Sequence, residues 1–87
     1  EVSAADISIE GNPGRGIFHA VIEVPVDAEA CISVHDISGR MITDYRWNLS
    51  QGSSELLFDL SAEPPGPYYL TARIGSVVLS ERLMLIE

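Results

Sequence analysis

Apolar and polar residues alternate along most of this chain, and clusters of Gly, Pro, Asn and Asp break the alternation at short intervals. On a strand, successive side chains point to opposite sides, so apolar residues two apart line one face. The clearest run spans residues 16–24, where Phe18, Ala20, Ile22 and Val24 share a face. Pro25 ends it, having no N–H to give the ladder. Residues 30–36 form a second run with Ile32 and Val34 inward. In residues 55–60, Leu56, Phe58 and Leu60 fall on one side. In residues 68–74, Tyr68, Leu70, Ala72 and Ile74 oppose Tyr69, Thr71 and Arg73. A short strand at residues 6–10 opens the set, and residues 77–86 close it. Residues 41–47 are ambiguous. There Met41, Thr43, Tyr45 and Trp47 alternate with Ile42, Asp44 and Arg46, and neither face is clearly the inner one.

The breaks between these runs carry turn chemistry. Asp36-Ile37-Ser38-Gly39 pairs a carboxylate that can accept turn N–H groups with a glycine free to adopt conformations closed to other residues. Gly11-Asn12-Pro13-Gly14, Ser50-Gln51-Gly52-Ser53 and Pro64-Pro65-Gly66-Pro67 mark further connections, and Gly75-Ser76 reads as a two-residue hairpin loop. Short strands at this spacing predict an all-β fold: an immunoglobulin-like β-sandwich of about seven antiparallel strands in two sheets. A single sheet would leave one apolar face unburied.

At 87 residues and 46% hydrophobic, the chain makes one domain, residues 1–87, with one core. A domain of this size buries only about 60–70% of its unfolded surface, so a deep catalytic pocket is not expected. Thirteen acids face five Arg (15, 40, 46, 73 and 82) and no Lys, for a formal net charge of −8. That balance repels nucleic acid and anionic membrane faces, whose ligands use Lys and Arg to neutralise phosphates. No apolar run is long enough for membrane insertion. Acidity of this degree suits solubility in a secreted or salt-rich setting. The opening at Glu1, without Met, reads as a domain excised or processed from a larger secreted protein. Cys31 is the single cysteine, which excludes an internal disulfide and a thiolate zinc cluster; it reads as a small apolar residue within a strand.

No catalytic constellation emerges, and neither an enzyme, a cofactor nor a metal site is expected. His19 and His35 fall on different strands, and His35 and Asp36, being adjacent, point to opposite faces. No serine stands in a Gly-x-Ser-x-Gly elbow. Gly11, Gly14 and Gly16 lack the Lys and helix of a phosphate loop and read as a turn. The scattered acids lack the density of a calcium loop, Asp27 and Glu29 being the nearest approach to one. Asn48-Leu49-Ser50 matches a glycosylation sequon. Tyr45, Trp47, Tyr68 and Tyr69 suggest an aromatic platform for sugar. Interleaved aliphatics favour the alternative, with Trp47 and Tyr68 in the core and Tyr45 and Tyr69 half exposed.

Several of these segments, in order, resemble the C-terminal sorting domain of bacterial type IX (Por) secretion. Asn12-Pro13 matches the end of the family's opening Tyr-Pro-Asn-Pro segment, and Asp36-Ile37-Ser38-Gly39-Arg40 matches its Asp-x-x-Gly-Arg turn. Asp59-Leu60-Ser61, then Gly66-Pro67-Tyr68 and a later Arg73, follow as in the family, and residues 79–86 occupy the place of its terminal strand. Where the family's last strand is usually basic, this one carries Arg82 beside Glu81 and ends in Glu87.

The resemblance implies a non-catalytic domain carried behind an N-terminal cargo domain. Its partners would be the type IX translocon and a sortase-like peptidase, and its destination the cell surface of a Gram-negative bacterium via the periplasm. Recognition would fall on Arg40 and on the terminal strand through Val77, Val78, Leu79, Arg82, Leu83 and Leu85, whose edge can be extended by a partner strand. The alternative reading is an extracellular immunoglobulin-like accessory or spacer module, carbohydrate- or protein-binding, attached to a secreted hydrolase.

Overall fold

The structure, a computed structural model, describes residues 5–86. Among the described residues seven strands form and no helix does: β1 (Asp6–Glu10), β2 (Ile17–Val24), β3 (Ala28–Asp36), β4 (Met41–Leu49), β5 (Gly52–Asp59), β6 (Gly66–Ile74) and β7 (Val77–Leu85). They build a three-stranded sheet in the order β1-β2-β5 and a four-stranded sheet in the order β4-β3-β6-β7, all neighbours antiparallel. This is the expected sandwich, all-β and immunoglobulin-like. The chain ends Glu1 and Glu87 lie outside the described residues.

The alternating positions meet between the sheets. Phe18, Ala20 and Ile22 from β2, Ile32 and Val34 from β3, Phe58 from β5 and Leu70 and Ala72 from β6 are essentially without solvent contact. Burying a Val, Leu, Ile or Phe side chain contributes roughly 1.5–3 kcal/mol, so this layer dominates the favourable side of folding. Tyr68 is buried, Trp47 packs partly buried against the core, and Tyr45 and Tyr69 are each 39% exposed, as expected of the four aromatics.

Cys31 lies within β3 as expected, exposed on the outer face because its neighbours Ala30 and Ile32 take the inward positions. One expectation needs correction. The ambiguous fourth strand extends to Leu49 and contains a bulge: Val34 pairs with Thr43, yet His35 pairs with Met41, leaving Ile42 unpaired. An extra residue reverses the facing of everything beyond it. From Thr43 onward the odd positions sit opposite inward residues of β3, and the Tyr45 ring meets Phe58 of β5 at 5.7 Å and 60°.

Strand directions send residues 11–16, 37–40 and 60–65 and the end of β7 to one end of the sandwich. Residues 25–27, 50–51 and 75–76 go to the other, where the Gln51 N–H donates to the Asp27 carboxylate at 2.7 Å. Asp27 therefore has a structural partner at the crossing between sheets.

Candidate functional site

The end of the sandwich bearing residues 11–16, 37–40 and 60–65 gathers most of the motif residues, although they are spread from Asn12 to Tyr68 in sequence. Its centre is the β3–β4 turn. Oδ1 of Asp36 accepts the Ser38 N–H at 3.0 Å, the Ser38 hydroxyl at 2.7 Å and the Arg40 N–H at 2.9 Å. Oδ2 accepts Nε of Arg40 at 3.2 Å. The Gly39 N–H returns to the Asp36 carbonyl at 3.0 Å, with Gly39 at φ +90°. Led by the Ser38 hydroxyl, these donors hold the Asp36 carboxyl down at about 2.

Arg40 spans two connections. Its Nε binds Asp36, and its terminal nitrogen reaches Glu63 Oε1 at 3.4 Å, so the β3–β4 turn is tied to the β5–β6 connection. The same Asp36 bond is the main cause that raises the guanidinium's own affinity for its proton. Beside it, the Tyr68 hydroxyl donates to the Pro64 carbonyl at 2.6 Å, in the manner of the tyrosine corner of immunoglobulin-like domains. Burial is the main cause that raises the Tyr68 phenol, with Glu63 and Asp36 adding to it. In Asp59-Leu60-Ser61, the Asp59 carboxylate accepts the Ser61 hydroxyl and N–H and is lowered by both. Leu60 donates its N–H to the Gly16 carbonyl at 2.7 Å.

The β1–β2 connection completes this end by lying along β7. The Asn12 amide donates to the Arg82 carbonyl at 2.7 Å and accepts the Met84 N–H at 2.9 Å. Gly14 continues the contact with its N–H on the Met84 carbonyl at 3.0 Å and its carbonyl on the Ile86 N–H at 2.8 Å, a parallel bridge. Asn12 thus uses its side chain as a stretch of backbone.

The residues expected to make partner contacts are distributed unevenly. Arg40 is engaged with Asp36 and Glu63 rather than free. Leu83 and Leu85 are buried, facing the core. Val77, Val78 and Leu79 lie at the opposite end of β7, with Val78 exposed and the other two half-buried, and Arg73 sits toward that far end on β6. The expected open edge along residues 77–86 is covered from the Arg82 carbonyl to Ile86 by Asn12 and Gly14. Alternation along the ladder turns the N–H and C=O groups of Val78 and Ser80 outward as well, and among the described residues they have no backbone partner. The free edge is therefore the first half of β7. Asn12's pairing with a strand some seventy residues away could not be read locally, although an Asn-Pro outside any strand marks a side chain available for such bonds.

Tyr45, Trp47, Tyr68 and Tyr69 do not share a platform, since Tyr68 is in the core and Tyr69 points from the outer face of β6. Among the described residues no group of three or more His, Cys, Asp or Glu side chains is placed to hold a metal ion. The sequence matches no family model, and a comparison with curated proteins finds no match to it.

Proposed function

We propose that this domain is a non-catalytic sorting domain that directs a secreted cargo protein through the type IX outer-membrane translocon to the cell surface. The observation that carries the reading is the meeting, at one end of the sandwich, of Asn12-Pro13, the Asp36–Arg40 turn, Asp59-Leu60-Ser61 and Gly66-Pro67-Tyr68. These are the segments on which the resemblance rests. A shared, internally bonded end is what a receptor needs if it is to recognise a folded shape rather than a linear peptide. In this reading Arg40 acts by holding that shape, and the docking edge is the stretch of β7 around Val78 and Ser80, together with the exposed Arg82 side chain. The sortase-like peptidase and the N-terminal cargo domain would be its other partners.

Fusing residues 1–87 behind a periplasmic reporter in a type IX host tests the proposal. The expected result is reporter at the cell surface. Reporter retained in the periplasm overturns it.

A second reading, an extracellular accessory module, is favoured by one observation: Tyr45 is 39% exposed beside half-buried Trp47 on the edge strand β4. Titration with soluble polysaccharides separates the two, because quenching of Trp47 fluorescence is expected only for a sugar-binding module.

A further inference from the structure

The outer face of the four-stranded sheet carries an arrangement that the sorting function does not use. Cys31 of β3 is paired with Arg46 of β4 on one side and with Arg73 of β6 on the other. Directly paired residues share a face, so the three side chains form one row with the thiol between two guanidinium groups. The two arginines stand about two strand spacings apart, roughly 10 Å between their Cα atoms, within reach of one ligand from both sides. All three residues are exposed. The adjoining row places Ser33 beside Asp44 and Thr71. Together these residues line a shallow cavity of about 230 Å³.

Charge makes the cavity unusual for this protein. Thirteen acids outnumber five arginines, yet among the described residues neither Arg46 nor Arg73 has a carboxylate within ion-pairing distance. Glu29 and Asp44 lie on the same face one row to either side of Cys31. They limit how much negative charge the site will take, which favours a single small anion over a polyanion.

The geometry points to an oxyanion-binding site formed by Arg46 and Arg73 across Cys31, for a small carboxylate or a sulfate or phosphate monoester. Guanidinium forks pair with such oxygens through charge-assisted hydrogen bonds, and the Ser33 and Thr71 hydroxyls supply further donors. Asp44 is the carboxylate among the lining residues and selects ligands that also present a hydroxyl or amino group.

The test uses the whole chain in ¹⁵N-resolved spectra at fixed ionic strength, titrated separately with acetate, sulfate and phosphate. Saturable shifts confined to Cys31, Ser33, Arg46, Thr71 and Arg73 are expected, and the stronger of acetate and the tetrahedral anions identifies the ligand class. Arg46→Gln and Arg73→Gln, at exposed positions that preserve the fold, should each weaken binding about tenfold or more, whereas Arg82→Gln should not. As the single cysteine, Cys31 gives a second readout: saturating anion should slow its alkylation by iodoacetamide several-fold. Shifts that do not saturate, that spread equally to Arg15 and Arg82, or that survive both substitutions would overturn the site.

Discussion

The Asn12 side chain accepts the Met84 N–H at 2.9 Å, joining the first connection of the chain to its last strand. With the Asn12 bond to the Arg82 carbonyl and the two Gly14 bonds, this closes half of an edge that would otherwise present an unpaired ladder. Open edges invite pairing with other chains, and covering them with a loop is one of the ways proteins prevent it.

Replacing Asn12 with Ala should remove both side-chain bonds and leave the Gly14 bridge. Net values of about 0.5–1.5 kcal/mol per bond predict a loss of about 1–2 kcal/mol in urea unfolding, at the low end because the site is exposed. Amide exchange at Met84 should accelerate well beyond that at Leu83, whose N–H faces β6. Equal acceleration at both would mean that the whole strand frays and that Asn12 has no local role.

The Asp36 turn predicts a pH dependence. Its carboxyl is held at about 2 in the folded chain against an ordinary value of 3.8, so the folded state holds its proton less tightly than the unfolded chain does. The stabilisation is therefore complete above 3.8 and is lost as pH falls through about 2. Asp59, lowered mainly by the Ser61 hydroxyl, acts in the same direction. Asp36→Asn should lower stability at neutral pH and flatten the decline between pH 4 and 2, read from urea midpoints across that range. An unchanged acid profile in the variant would show that Asp36 is not the group responsible.

At Tyr68, substitution with Phe deletes only the hydroxyl that reaches Pro64 at 2.6 Å. The ring stays in the core, so a cost of about 1 kcal/mol is expected, with the Pro64 carbonyl left to water. Because the phenol is raised by burial, the wild type should also lose stability as alkaline pH passes the folded value, and Tyr68→Phe should lose less. Thermal melts of both proteins on either side of pH 10 make the comparison.

Most of the fold was legible because alternation and burial coincide. Phe18, Ala20, Ile22 and Val24 were placed inward by spacing alone, and all four are buried. Legibility failed at β4 for a local reason: the unpaired Ile42 puts Met41 and Thr43 out of phase, so no single period fits the strand. The turn around Asp36 was readable because its donors lie within four residues. The bonds of Arg40 to Glu63 and of Asn12 to β7 were not, since tertiary pairing chooses those partners and nothing in the local sequence does. The period that puts Ile32 and Val34 inward also puts Cys31 outward, but its neighbours in that row, Arg46 and Arg73, are chosen by strand pairing and not by the local sequence.

Two glycines separate steric from conformational cost. Gly39 has φ +90°, and a methyl group built on it meets nothing within 4 Å. Gly39→Ala should therefore cost only the left-handed conformation, about 1–2 kcal/mol. Gly16 has φ +146°, and the same methyl would lie 2.7 Å from Cβ of Ser61 and 2.9 Å from its Cα, much of that contact being backbone that cannot rotate away. The carbonyl of Gly16 also takes the Leu60 N–H at 2.7 Å, so relieving the clash would stretch a bond between the β1–β2 and β5–β6 connections. Gly16→Ala should accordingly cost about 3 kcal/mol or more, the range in which strained backbone and overpacking add. Denaturant unfolding of the two variants side by side decides the matter. Equal losses would mean that the close approach of Gly16 to Ser61 does not hold this end of the sandwich together.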